Sequence, residues 1–294
     1  MDIFEQLSLA LAGRVAASAP LAVAIKAGPR HRSGILWRPD VVVTSEQVAG
    51  DEDTATIVRG GAEVVAKLAG RDPTTNVAVF RLESPLTGLL PAMAGLPLVG
   101  SLAMVVGADA AGAATGRLAM VHATGPEWHS LAGGRIDNLI RLDVRLGADE
   151  GGPVLDHAGA FLGMSTAGPR RRALVIPAET IARVVDPLLT HGHIARGWLG
   201  VGLQTVAIPE SHQAAAGQAR GAMILQLVAK GPAEQAGVMP GDILLSVGDF
   251  HFGQRRNLAP FMSPDRIGHP VTVRLMRAGD VREIAITIAA RPAS

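Results

Sequence analysis

Cysteine is absent from the 294 residues, and so is tyrosine. The first absence excludes disulfides, thiolate catalysis and zinc-thiolate sites without fixing a compartment. Aromatic residues are only 3% of the chain, which argues against a base-stacking surface. Neither sign of charge dominates. The net charge is +1, so no strong pull toward nucleic acid or an anionic membrane is expected. No stretch reaches the roughly 18 uncharged apolar residues of a membrane span. The opening Met1-Asp-Ile-Phe-Glu5 lacks the positive charge of an export signal. As written the chain is expected to be cytoplasmic; an incomplete N-terminus would make it periplasmic or secreted.

What is present is largely apolar. Hydrophobic residues are 48% and charged residues 18%, the balance of a globular chain with a sizeable core. Residues 2–18 read as one short helix, with Ile3, Leu7, Ala10 and Leu11 on one face and Pro20 ending it. It packs on the neighbouring domain or mediates oligomer contacts. From Leu21 to about Gly100 short apolar segments alternate with turns such as Gly60-Gly61 and Arg71-Asp-Pro-Thr74, the pattern of a closed antiparallel barrel. A stretch with Pro85, Pro91 and Pro97 then crosses to a second set of strands between Leu102 and Ile176, with residues 108–115 and 124–135 as long loops. Pro177 opens a helix through Val185, in which Ile181, Val184, Val185 and Leu188 share a face.

Residues 198–290 read as a further unit. Trp198–Leu203, Ala222–Val228 and Ile243–Val247 are apolar strands, and Gly231–Gly237 is a short helix. Asn257 is expected to cap a helix through Leu258 and Met262, with Pro260 in its first turn, where a missing N–H costs little. The expected domains are an extension at 1–19, barrels at 20–98 and 99–176 with a closing helix at 177–190, a linker at 191–197, and the unit at 198–290.

Four landmarks, in order, resemble the HtrA/DegP proteases, a chymotrypsin-like double β-barrel followed by a PDZ domain. They are Val41-Val-Val-Thr-Ser-Glu-Gln-Val48, Asp72-Pro-Thr-Thr-Asn-Val-Ala-Val-Phe-Arg-Leu82, Ile140-Arg-Leu-Asp143 with Gly151-Gly-Pro153, and Gly197-Trp-Leu-Gly-Val201 with Gly231-Pro-Ala-Glu-Gln-Ala-Gly237 and Gly241-Asp242. The resemblance covers roughly residues 20–290 and implies a mainly β fold.

It also implies departures at the three chemical positions: Gln47 stands at the family's His, Asn76 at its Asp and Glu150 at its Ser. A triad needs an oxygen nucleophile, an imidazole to take its proton and a carboxylate to hold the imidazole. Glutamine offers no base near neutral pH, Asn76 has no charge and no imidazole to orient, and a carboxylate is a poor nucleophile toward an amide. The former oxyanion turn is Ala148-Asp149-Glu150. There Ala148 in place of glycine restricts the backbone, and Glu150 is expected to plug the hole by accepting the amide bonds of residues 148–150.

The chain is therefore expected to be a catalytically inactive pseudoprotease. It would bind protein C-termini or unfolded chains through its PDZ domain and act as a scaffold, a chaperone-like protein or a regulator of an active HtrA relative. No cofactor is expected. Family resemblance implies an oligomer, a trimer by its commonest form. The peptide site falls on Trp198, Leu199, Gly200 and Val201 for the terminal carboxylate, and on Leu199, Val201, Leu203, Leu258 and Met262 for the side chain. Asp143 is read as structural.

Rival readings stay open. One is an endopeptidase or hydrolase built on Glu150, or on Ser45 or Ser165 with His122, His129 or His157. A metal could collect at Asp149, Glu150, Asp156 and His157, or at His191 and His193. Arg170-Arg-Arg172 could meet an acidic partner, against a bland solvated loop.

Overall fold

The strands of the first half are rich in β-branched residues because both their faces are covered. In Val41–Ser45 every residue is buried. Val42 points into one cluster with Val23, Ile25, Leu36, Ile57 and Phe80. Its neighbours Val41 and Val43 point the other way, into a second cluster with Ile35, Val77 and Val79, as the two-residue period of a strand requires. The computed structural model describes residues 2–27, 30–88, 92–253 and 258–292. It divides into two compact units that meet in sequence between Ile194 and Ala195.

The first unit opens with α1 (Ile3–Ser18). A barrel follows, made of β1 (Ala22–Ala27), β2 (Arg30–Arg38), β3 (Val41–Ser45), β4 (Thr54–Arg59), β5 (Ala62–Asp72) and β6 (Val77–Leu82), with α2 (Glu46–Ala49) after β3. It closes in the order β1-β2-β3-β6-β5-β4. The second barrel takes β7 (Leu102–Ala108), β8 (Ala114–Gly125), β11 (Leu139–Arg145), β12 (Pro153–Asp156), β13 (Phe161–Ala167) and β14 (Arg172–Pro177), in the order β11-β14-β13-β12-β7-β8. The expected loop at 124–135 instead holds a small hairpin, β9 (Trp128–His129) with β10 (Arg135–Ile136).

One apolar cluster joins the two barrels. Trp37 of β2 meets Phe161 of β13 edge-on at 6.0 Å, and α3 (Ala178–His191) adds Ile181, Val184, Val185 and Leu188. This helix runs beyond Val185, through Pro187, and stops where Gly192 turns left-handed and its amide returns to Leu188. Only the end of the face expected of α1 makes contact: Ile3 is 72% exposed and Leu7 44%, while Leu11 of that face and Val15 beyond it reach the core. Its apolar residues do not concentrate on one side, so only its last turns dock.

The second unit is a six-stranded sheet, β16 (Val201–Ala207), β17 (Arg220–Leu227), β18 (Ile243–Val247), β20 (Pro270–Arg277) and β21 (Asp280–Thr287) in that order, with β19 (Phe250–His251) on β18. A short pair, β15 (Gly197–Trp198) and β22 (Ala289–Ala290), stands apart from it. Two short helices complete the unit, α4 (Glu210–Ala216) and α5 (Pro232–Gln235). Sequence periodicity missed α4, whose Glu-Ser-His-Gln-Ala-Ala-Ala carries no apolar stripe. The helix expected through Leu258 and Met262 is corrected: the chain there makes two 3-10 turns, Ala259–Phe261 and Pro264–Arg266. Two prolines within five residues remove the amides that an α-helix would need. Asn257 lies outside the described residues.

Candidate functional site

Asp72 builds the turn that presents Asn76. Its carboxylate accepts the Thr74 amide at 3.1 Å and the Thr74 and Thr75 hydroxyls at 2.7 Å each, an Asx turn. The chain leaves it with Asn76 in the left-handed region, φ +59°, which asparagine tolerates better than most residues. Asn76 Oδ1 then faces back to α2 and accepts the Gln47 amide at 3.0 Å and the Ser45 hydroxyl at 3.0 Å.

Glu150 reaches the same place from the second barrel. The turn at 147–152 is braced by β2: Ser33 donates its hydroxyl to the Ala148 carbonyl at 2.8 Å and its amide to the Glu150 carbonyl at 3.1 Å. Gly151, at φ +90°, sits so close that a Cβ would lie 2.2 Å from Thr44 Oγ1 and 2.3 Å from Ser33 O. Only glycine fits. The Glu150 side chain, 4% exposed, accepts from the Gln47 side-chain amide and from the Ala167 backbone amide at 3.0 Å. Gln47 also donates to Thr166 Oγ1 at 2.8 Å, and Asn76 Nδ2 donates to the same oxygen at 2.6 Å. Gln47, Asn76 and Glu150 thus come together, with the Thr166 hydroxyl shared between the two amides.

The carboxylate differs in one respect from its expected plug. Its acceptor bonds come from Gln47 and Ala167, not from the amides of residues 148–150. The Glu150 amide instead serves the turn, donating to the Gly147 carbonyl at 3.3 Å. Asp149 holds the turn from the other side, accepting the Gly147 amide at 2.7 Å and Arg117 Nε at 3.0 Å. Ala148 keeps an ordinary backbone, outside the positive-φ residues. Nothing in the sequence singled out Thr166 or Ala167. Their place at the end of β13, beside the turn, is a property of barrel closure.

The rival candidates lie elsewhere. Ser45 Oγ meets Asn76 and Thr166, and Ser165 Oγ donates to the Asp149 carbonyl at 2.8 Å; neither meets a histidine. His122, His129 and His157 are exposed. Asp156 accepts the amides of Ala158 and Ala160, and His193 Nδ1 lies 2.9 Å from the His191 carbonyl. Asp143, read from the sequence as structural, accepts the Met120 amide on β8 at 2.8 Å.

In the second unit β16 lies at the edge of the sheet. It is preceded by Trp198-Leu-Gly200, with Gly200 at φ +76°. The Leu199 and Gly200 carbonyls are tied to Ala233 and Val228 at 2.9 Å each. Leu199 and Met262 are buried in the unit's core, and Val201, Leu203 and Leu258 pack half-buried against it. Met262 O accepts the Gly197 amide at 3.0 Å, which seats the 3-10 turns beside the Trp198–Gly200 loop. Below them Asp242, 2% exposed, takes Arg277 Nε and Nη2 at 2.8 and 2.7 Å and the Met239 amide at 2.9 Å. Burial pushes the Asp242 carboxyl up. Arg277 and the Met239 amide outweigh it and hold the group below the usual carboxylate range.

Comparisons agree with this architecture. Residues 32–164 match the family model of the trypsin-like peptidase domain, and residues 197–288 that of the PDZ domain. A probable periplasmic serine endoprotease, DegP-like, from Brucella suis biovar 1 is 30% identical over 262 residues, 85% of this chain and 50% of the relative. Its namesake in Bartonella henselae is 30% identical over 261 residues, 85% of this chain and 51% of the relative. The chain belongs to the HtrA/DegP-like family. It spans about half the length of the curated relatives it matches. Solved HtrA-type structures share its fold: the HtrA-type protease AlgW with decapeptide, with a TM-score of 0.72 at 20% identity over 97% of this chain and 99% of that one, and the serine endoprotease from Yersinia pestis, 0.71 at 21% over 96% and 98%.

In this HtrA-like chain the barrels bring β3, the β5–β6 turn and the 147–152 turn to one point. The side chains delivered there are two amides and a carboxylate. Among the described residues no helix is long and apolar enough to cross a membrane.

Proposed function

We propose that this chain is a pseudoprotease that binds polypeptide ends through its PDZ domain. One observation carries the first half of the reading. The carboxylate at position 150 is already committed, to Gln47 and to the Ala167 amide, and among the described residues its hydrogen-bond partners offer no group that takes a proton from a serine-like nucleophile or from water. Peptide hydrolysis needs such a base within hydrogen-bond reach. The second half rests on the edge strand β16 and its glycine-containing entry loop, the parts that capture an extended chain end by strand addition. The HtrA-type relative AlgW carries a decapeptide in its solved structure. A role as a scaffold, chaperone-like protein or regulator of an active relative follows from binding without cleavage. Oligomerisation belongs to the same proposal, and sedimentation equilibrium reads it. The relatives named periplasmic make that compartment the one to test against the cytoplasmic expectation.

The test is casein digestion by the purified chain and by Glu150→Ala, beside fluorescence anisotropy with a labelled hydrophobic peptide bearing a free or an amidated C-terminus. No cleavage by either protein, with binding only of the free acid, is expected. Cleavage lost in Glu150→Ala would make Glu150 catalytic and overturn the first half. Equal binding of both peptides would overturn the second.

A further inference from the structure

The Arg170-Arg-Arg172 run lies on the tight connection between β13 and β14. Its ends are held by the Gly168 amide on the Arg172 carbonyl at 2.9 Å and the Arg171 amide on the Gly168 carbonyl at 3.0 Å. Arg170 and Arg171 both take the left-handed backbone, φ +58° and +59°, a conformation that a long side chain adopts at a cost. The Arg171 carbonyl accepts the Leu146 amide at 3.3 Å, so the run abuts the turn that carries Glu150.

Barrel pairing adds two more guanidinium groups. Arg145 of β11 stands directly opposite Arg172 of β14, and Arg141 opposite Leu174. All five arginines are exposed, and among the described residues none of their side chains has an ion-pair or hydrogen-bond partner. Asp143, between Arg141 and Arg145, accepts the Met120 amide at its Oδ1. Like charges directly opposite on neighbouring strands are destabilising. A protein whose net charge is only +1 has therefore gathered five arginines against the one carboxylate of Asp143 on two neighbouring strands of one barrel and the connection beside them, where their repulsion opposes folding.

We propose that this cluster is a docking site for an acidic polypeptide segment. Five planar donors on the β13–β14 hairpin and the neighbouring β11 fit carboxylates bidentately. The cluster has no aromatic residue on which a base could stack, which favours an acidic peptide over a nucleic acid. The site needs neither the PDZ groove nor the state of the former triad, so its failure and theirs are separate results.

The experiment is fluorescence anisotropy on the full chain with a labelled decaglutamate whose C-terminus is amidated, which removes the carboxylate that a PDZ loop would capture. A glycine-serine decapeptide and a ten-nucleotide oligothymidylate serve as comparisons, at low and at about 0.15 M ionic strength. Decaglutamate is expected to bind, more weakly at the higher salt, and the glycine-serine peptide not to bind. Arg145→Glu with Arg172→Glu is expected to weaken binding about tenfold, the scale of two exposed charge pairs turned repulsive. Arg220→Glu, an exposed reversal in the other unit, should leave it unchanged. Arg145→Gln with Arg172→Gln gives the same direction in a milder pair, should the reversals impair folding. No binding of decaglutamate by the wild type, or undiminished binding by both double variants, would overturn the site. Tighter binding of the oligothymidylate would overturn the assignment to an acidic peptide.

Discussion

Glu150 is a buried carboxylate satisfied by an amide side chain and an amide of the backbone, and both partners bear on what a reversal can achieve. Glu150→Ser alone restores the hydroxyl but leaves Gln47 beside it with no basic nitrogen. That variant is expected to leave casein intact over a long incubation, and fragments above a no-enzyme control would refute it. Gln47→Ala removes a donor from a group that stays out of water. Leaving a buried acceptor short of a partner costs about 1–3 kcal/mol, so urea unfolding of the variant should show a stability lowered by that amount. Asp242 is the second residue whose surroundings set a measurable outcome. Its folded pKa is depressed, so the stabilisation is complete above the unfolded value of about 3.9 and is lost as the pH falls through the lower folded value. Stability should therefore drop in the acid range below about pH 4. Arg277→Gln leaves the buried carboxylate without its bidentate partner, lowers stability at neutral pH, and flattens that acid loss. Unfolding midpoints against pH for both proteins check the sign.

At the scale of elements, the sequence was legible where local chemistry decides. The barrel strands could be read because runs such as Val41-Val-Val-Thr44 and Val77-Ala-Val-Phe80 are apolar on both faces, and the α3 stripe of Ile181, Val184, Val185 and Leu188 repeats with a helix. The pair of 3-10 turns at 259–266 was not legible. Its apolar spacing at Leu258 and Met262 pointed one way and Pro260 with Pro264 the other, and the prolines prevailed. The contacts of Glu150 were legible only as a missing base and nucleophile, since Ala167 lies 17 residues on and only barrel closure brings its amide to the carboxylate. Long-range packing also explains Gly70. The end of α3 lies so near β5 that a Cβ at Gly70 would stand 2.6 Å from the Gly192 carbonyl and 2.7 Å from that of Leu188, with Arg71 N donating to Gly192 O at 3.2 Å. Gly70→Ala must push the helix end away, at about 1–3 kcal/mol. A urea midpoint unchanged from wild type would show that α3 shifts freely on β5.

The whole molecule has two sets of cores that share no buried residue, one in the barrels and one in the PDZ unit. Between them the chain from Gly192 to Arg196 belongs to no described helix or strand. The described residues of the crossover after β6, 83–88 and 92–101, belong to no helix or strand either, and this stretch is the natural competitor as the weakest point. Its backbone is pinned along its length: Leu86 N donates to the Pro39 carbonyl at 2.8 Å, Ala94 N to the Phe161 carbonyl at 2.9 Å, and Phe161 N to the Ala92 carbonyl at 2.6 Å, whereas the link is tied at its two ends, by Arg71 N on the Gly192 carbonyl at 3.2 Å and Arg291 N on the Arg196 carbonyl at 2.7 Å. Proteolysis of a folded chain selects segments that open without unfolding a core. Brief digestion with a broad-specificity protease should therefore cut first between His191 and Gly197 and leave two resistant fragments, identified by mass. The PDZ fragment should keep the full chain's affinity for a free-acid peptide, since every residue assigned to that groove lies within it. A first cut in the crossover would mean that its backbone bonds hold less firmly than the link between the units, and loss of peptide binding in the fragment would place part of the groove outside residues 198–290.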